Sequence, residues 1–176
     1  MRIMIYTCTI DTPLGEMTAA AKGEALIGLW FVGQKYYPTQ TARWIYEPEY
    51  PVFKATRNQL VLYFSGKANS FDIRLAPQGS PFQKIVWGML LRIPMGQVAT
   101  YGQIAKHVAQ ARGLVSMSAQ AVGGAVGHNP VSILIPCHRV VGFNGSLTGY
   151  AGGLDRKAAL LRIEKALVTP DFGRIW

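Results

Sequence analysis

The segment "APQGSP", residues 76–81, constrains the fold more than any other stretch, because it parts two regions with different apolar periods. Two prolines, a glycine and a serine in six residues mark a boundary. Before it, "RIMIYTCTI" and "MTAAAKGEALIGLWFV" read as strands, the latter a hairpin around Lys22-Gly23. A long Pro/Tyr-rich loop, "GQKYYPTQTARWIYEPEYP", follows. "VFKATRNQLVLYFSG" is amphipathic, with Phe53, Leu60 and Phe64 on one face and Gly66 as its stop. "SFDIRL" alternates like a closing strand. After the boundary the pattern turns helical. Ser80-Pro81 pairs an N-cap with proline at the first helical position and opens "PFQKIVWGMLLRI". Thr100 and Gln103 have capping-box spacing and open a helix to about Ala111. "SMSAQAVGGAVG" and "LDRKAALLRIEKALV" are two further helices. The expected class is α+β: a small N-terminal α/β domain with an antiparallel sheet (1–79), then a mostly helical domain (80–168) and a tail (169–176).

Charge sharpens this division. The formal net charge is +9 over 176 residues, and residues 81–176 carry 10 Lys/Arg against 3 Asp/Glu. No acid lies between Asp72 and Asp155, while Arg74, Lys84, Arg92, Lys106, Arg112 and Arg139 do. Such a stretch attracts a polyanion, with nucleic acid the expected partner, although a basic surface also serves solubility. With 49% hydrophobic and 15% charged residues the chain is globular rather than disordered. No apolar run reaches membrane-spanning length and no signal peptide is read at "MRIMIYTCTIDT". Two distant cysteines give no disulfide framework, so a cytoplasmic location is expected.

The two short helices after Thr100 suggest a helix-turn-helix on this basic background. The second is poor in base-reading side chains, offering Ala119, Gln120, Ala121, Gly123 and Gly124. Each mid-helix glycine costs roughly 0.5–1 kcal/mol relative to alanine. Packing against a neighbouring helix is the favoured explanation of the pair, and close approach to a nucleic-acid backbone the alternative.

Chemistry concentrates in "ILIPCHRVVG", residues 133–142. Cys137 could be an inert core thiol, as Cys8 is read to be. Its neighbours His138 and Arg139, with no acid nearby in sequence, would instead favour a thiolate nucleophile. Glu164 lies three and four residues from Leu160, Leu161, Leu167 and Val168, beside an apolar stripe. It is either a boundary carboxylate reaching water or a buried acid that orients a histidine in a Cys–His–Glu relay. No zinc-ligand spacing, phosphate loop or dinucleotide glycine pattern is present.

Assembled, the motifs "PFQKIVW", "IPMGQVATYGQIA", "AVGGAVGHNPVSILIPCHRVVG", "GSLTGYAGGL" and "LLRIE" run in order from Pro81 to Glu164. The chain resembles the O6-alkylguanine-DNA alkyltransferases, the methylated-DNA–protein-cysteine methyltransferases. Its first domain matches in size and strand content only. The resemblance implies Cys137 as alkyl acceptor, His138 as base through a water, Glu164 as the acid polarising it, and Asn129 bracing the turn before the cysteine. It implies that Tyr101 meets the base and its phosphate, and that Tyr150, Ala151, Gly152 and Val140 shape the guanine pocket. Gln120, Ala119, Ala121, Gly123, Gly124, Arg139 and Arg112 would face DNA. The implied partner is double-stranded DNA bearing O6-alkylguanine, met by a monomer without cofactor or metal, with O4-alkylthymine as an open second substrate. Two departures stand out. Gln120 occupies the place of an intercalating arginine, and the connector "HVAQARGLVSM" is long. The rival expectations are a lesion sensor without transfer, a transcriptional regulator, and a cysteine hydrolase unrelated to DNA.

Overall fold

The computed structural model describes residues 3–166, which form two compact units. Among the described residues the first comprises 3–78 together with 130–132. Its sheet has the order β3-β2-β1-β4, with β1 Tyr6–Thr12, β2 Gly15–Lys22, β3 Ala25–Phe31 and β4 Ile45–Tyr46. The first three strands pair antiparallel, and the two residues of β4 pair parallel to β1. All seven residues of β3 are buried, which explains its unbroken apolar sequence. Its outer edge is covered by irregular backbone: Leu26 exchanges bonds with Arg74 and Ala76, and Leu29 with Pro130 and Ser132. Edge groups that would otherwise template another chain are thereby satisfied.

Helix α1, Pro51–Phe64, buries Val52, Phe53, Thr56, Leu60 and Tyr63. Gly66 ends it at φ +73°, a conformation cheap only for glycine. The buried stripe contains the expected Phe53 and Leu60, but Tyr63 rather than Phe64 completes it. "SFDIRL" forms no strand; only Leu75 makes a bridge, to Leu26. Asp72 is held instead through the side chain of Gln59, so the alternation there has no ladder behind it.

Among the described residues the second unit comprises 79–129 and 133–166 and is mostly helical. It contains α2 Pro81–Leu90, α3 Tyr101–Ala111, α4 Ala119–Gly127 and α5 Leu154–Ile163. A two-stranded parallel pair joins β5 Ala99–Thr100 to β6 Val140–Val141. Reciprocal capping boxes start α2 (Ser80 with Gln83) and α3 (Thr100 with Gln103), satisfying amide groups that helix starts leave open. Trp87 of α2 donates its indole N–H to Ala125 of α4 at 2.9 Å, so a large buried ring also closes a polar contact. Leu167, Val168 and the tail lie outside the described residues.

Candidate functional site

The site grows from the segment between α4 and β6. Residues 131–141 are buried without interruption. Within them Ile133 has φ +73°, a position rarely tolerated by a β-branched residue. After Pro136 the chain makes a single 3-10 turn, Cys137–Arg139, in which the Arg139 amide bonds Pro136 O. Cys137 is 6% exposed at this turn. Asn129, just past the end of α4, donates its Nδ2 to Ile135 O at 2.8 Å and to Cys137 Sγ at 3.1 Å. One amide thus fixes both the turn and the sulfur. Burial pushes the Cys137 thiol up, while the Asn129 bond, the Lys157 charge and the backbone amides of Cys137 and His138 oppose it.

His138 is fully buried and its Nε2 lies 2.6 Å from Glu164 Oε1. Glu164, directly after α5, also accepts from Arg139 Nε at 2.8 Å and Nη2 at 2.9 Å. Burial alone would raise this carboxyl, but the bonds from His138 and Arg139 outweigh it and hold it at about 2. A carboxylate only accepts, so we assign the imidazole proton to Nε2. Burial lowers the His138 pKa more than Glu164 raises it, so the ring is neutral. Its Nδ1 is buried and has no hydrogen-bond partner among the described residues. The arrangement is a fixed neutral imidazole whose second nitrogen is available as a base, on the residue following a buried thiol.

Arg139 does not face outward as expected. It is 7% exposed, forks onto Glu164 and donates Nη1 to Ile93 O at 2.6 Å. Its charge is consumed in holding Glu164 ionised, so it is removed from the DNA-facing set. Lys157 escaped the sequence reading. This α5 lysine is 0% exposed and donates Nζ to Thr148 O at 3.2 Å and Gly149 O at 3.1 Å. A signal was present: Lys157, Leu160, Leu161 and Glu164 fall at helical spacing on one buried stripe.

Tyr101, the first residue of α3, donates its hydroxyl to Thr148 O at 2.9 Å, and burial pushes its phenol up. Tyr150 and Ala151 are half-buried, Gly152 and Val140 buried. The Gly152 carbonyl accepts from Arg156 at 3.0 Å. On α4, Ala119, Gln120, Ala121 and Gly124 are exposed and Gly123 half-buried. Ser118 caps this helix through the amides of Gln120 and Ala121. Packing does not account for the glycine pair. A Cβ on Gly124 would meet open space, and one on Gly123 only ordinary contact with Tyr101. Arg112 is exposed and lies over the Phe82 ring at 5.5 Å. Among the described residues no His/Cys/Asp/Glu cluster could hold a metal ion, and no helix is long and apolar enough to cross a membrane.

Comparison with known proteins adds a second line of observation. Residues 81–166 match the family model for the 6-O-methylguanine DNA methyltransferase DNA binding domain. Residues 4–77 match that for the ribonuclease-like domain of the same proteins. A methylated-DNA–protein-cysteine methyltransferase of Mycobacterium tuberculosis (strain ATCC 25618 / H37Rv) is 44% identical over 168 residues, covering 96% of this chain and 97% of the relative. One from Methanosarcina acetivorans is 41% identical over 160 residues, covering 91% and 98%. The crystal structure of Mycobacterium tuberculosis OGT in complex with DNA superposes with a TM-score of 0.81 at 41% identity, covering 94% of this chain and 95% of that one.

Proposed function

From the premise that this chain belongs to the 6-O-methylguanine DNA methyltransferase family, we propose that it repairs DNA by direct reversal, moving the O6-alkyl group of guanine to Cys137. The observation that carries the assignment is the neutral, buried His138 with Nε2 tied to Glu164 and Nδ1 unpartnered. His138 Nδ1 takes the Cys137 proton through a water, and the thiolate attacks the alkyl carbon. The S–C bond forms as the C–O6 bond breaks, and the released guanine takes up one proton. Thiol and alkylguanine are therefore converted to thioether and guanine. A thioether is outside thiol–disulfide exchange, so each molecule acts once.

The remaining roles follow from placement. Asn129 holds the sulfur and braces its turn, while Tyr101, Val140, Tyr150, Ala151 and Gly152 bound the guanine site. Helix α4 presents a small-residue face with Gln120 near its start. The exposed glycine is a place where nucleic-acid backbone can approach closely, which suits minor-groove binding with the target nucleotide flipped out. Helices α3 and α4 act as the helix-turn-helix, Arg112 contacts phosphate, and the first unit has a supporting role. The protein is read as a monomer, and both cysteines are free thiols, in keeping with a cytoplasmic protein. A sensor without transfer is not favoured, because the Cys137, His138 and Glu164 set is intact. The test is single-turnover transfer of tritiated methyl from an O6-methylguanine duplex. Cys137→Ser should abolish labelling of the protein while lesion binding persists; labelling of the variant would refute the assignment.

A further inference from the structure

The turn that bounds the guanine site is tied to α5 by a side chain to which the transfer chemistry assigns no role. Residues Tyr150–Gly153 close on themselves, the Gly153 amide donating to Tyr150 O at 2.9 Å. Ala151 and Gly152 are the central residues of this turn. Gly153 then enters α5 at φ +93°, a conformation that side chains rarely adopt, and no side chain caps the helix there. Two adjacent glycines offer the peptide between them little resistance to rotation. That peptide carries the Gly152 carbonyl, and Arg156 Nη1 donates to it at 3.0 Å.

The place of Arg156 gives the bond its weight. It is the third residue of α5, where the positive end of the helix dipole favours an acid such as the preceding Asp155. A cation there has the wrong sign for the helix, so α5 gains nothing from it electrostatically. Helical side chains lean toward the N-terminus, and the half-buried Arg156 thereby reaches back four residues to Gly152. The donor is ionised, which makes such a bond roughly twice as strong as one between neutral groups. One guanidinium thus joins a rigid helix to the wall of the pocket.

We propose that Arg156 is a positioning residue of the transfer reaction, holding Gly152 O so that the Ala151–Gly152 turn is set before the guanine arrives. This rests on the guanine site assigned above. An arginine that only supported α5 would alter stability and leave the transfer rate of the folded protein unchanged.

The test is single-turnover methyl transfer by the full chain over a range of O6-methylguanine duplex concentrations, for wild type, Arg156→Met and Arg156→Lys. Methionine keeps an apolar stem and removes the donor. The saturating rate of Arg156→Met should fall about tenfold, because a misplaced pocket wall costs alignment in the transition state. Its half-saturating concentration should stay within about twofold of wild type, because the face of α4 is untouched. Arg156→Lys keeps a charged donor and should recover most of the rate. An unchanged saturating rate in Arg156→Met, or a loss confined to the half-saturating concentration, would overturn the proposal. A lysine variant as slow as the methionine one would overturn it as well. If Arg156→Met does not fold, Arg156→Gln, neutral and shorter, takes its place with the same expectation. Failure here is separable from failure of the function. No transfer by the wild-type protein sinks the assigned reaction, whereas equal transfer by wild type and Arg156→Met sinks this inference alone.

Discussion

Replacing Glu164 with glutamine tests the most connected group of the site. The carboxylate accepts three short bonds, from His138 Nε2 at 2.6 Å and from Arg139 at 2.8 and 2.9 Å. These lower its pKa from an ordinary 4.5 to about 2 against the opposing effect of burial. A depression of that size is worth about 3 kcal/mol of folding stability at neutral pH. For an acid with a lowered folded-state pKa, that stability is complete above the unfolded value and is lost as pH falls through the folded one. The window therefore runs from about pH 4.5 down to about 2. Linkage removes about 2 kcal/mol of it by pH 3. Glu164→Gln leaves one carbonyl to meet three donors and adds an amide N–H among them. At pH 7 the variant should be about 3 kcal/mol less stable, and the gap to wild type should narrow to about 1 kcal/mol at pH 3. Urea unfolding of both proteins at the two pH values, followed by tryptophan fluorescence, measures this. A gap that is absent at pH 7, or the same at both, would refute the reasoning.

Other substitutions probe separate links. Asn129→Leu removes the donor to Ile135 O and Cys137 Sγ, so it should cost about 1–3 kcal/mol in chemical denaturation and slow single-turnover transfer. Gln120→Arg restores a cation at an exposed position of α4 and should raise both duplex affinity, measured at fixed salt, and transfer rate. An unchanged rate would show that Gln120 is not limiting. Gly28→Ala places a Cβ 1.8 Å from the Trp30 ring within a fully buried strand, and should lower the melting temperature clearly, with no direct effect on Cys137. Ser118→Ala removes the cap of α4 and should cost roughly 1 kcal/mol, seen as a lower urea midpoint.

Local chemistry was legible in the sequence where local chemistry decides structure. Thr100 and Gln103 formed the capping box their spacing implies, Ser80-Pro81 opened α2, and Gly66 closed α1. What escaped depends on partners distant in sequence. "SFDIRL" alternates like a strand, yet a ladder needs a neighbour, and Gln59 takes that place at Asp72. The parallel pair of Ala99–Thr100 with Val140–Val141 is two residues long and leaves no periodic trace. At the site, Glu164 proved to be the buried acid rather than the boundary one. Arg139 followed the same logic in reverse: a surplus of basic residues suggested an outward charge, but Glu164 and Ile93 O drew it inside. Lys157 was missed because a lysine is expected to reach water, although its helical offset from Glu164 already put it on the buried stripe.

The central claim is that Cys137 is a single-use alkyl acceptor, and intact mass after incubation with a duplex carrying one O6-methylguanine tests it most directly. One added methyl per protein, mapped to the Cys137 peptide and saturating there with excess DNA, is the predicted result. Tight binding of the lesion duplex with no change in mass would contradict the account.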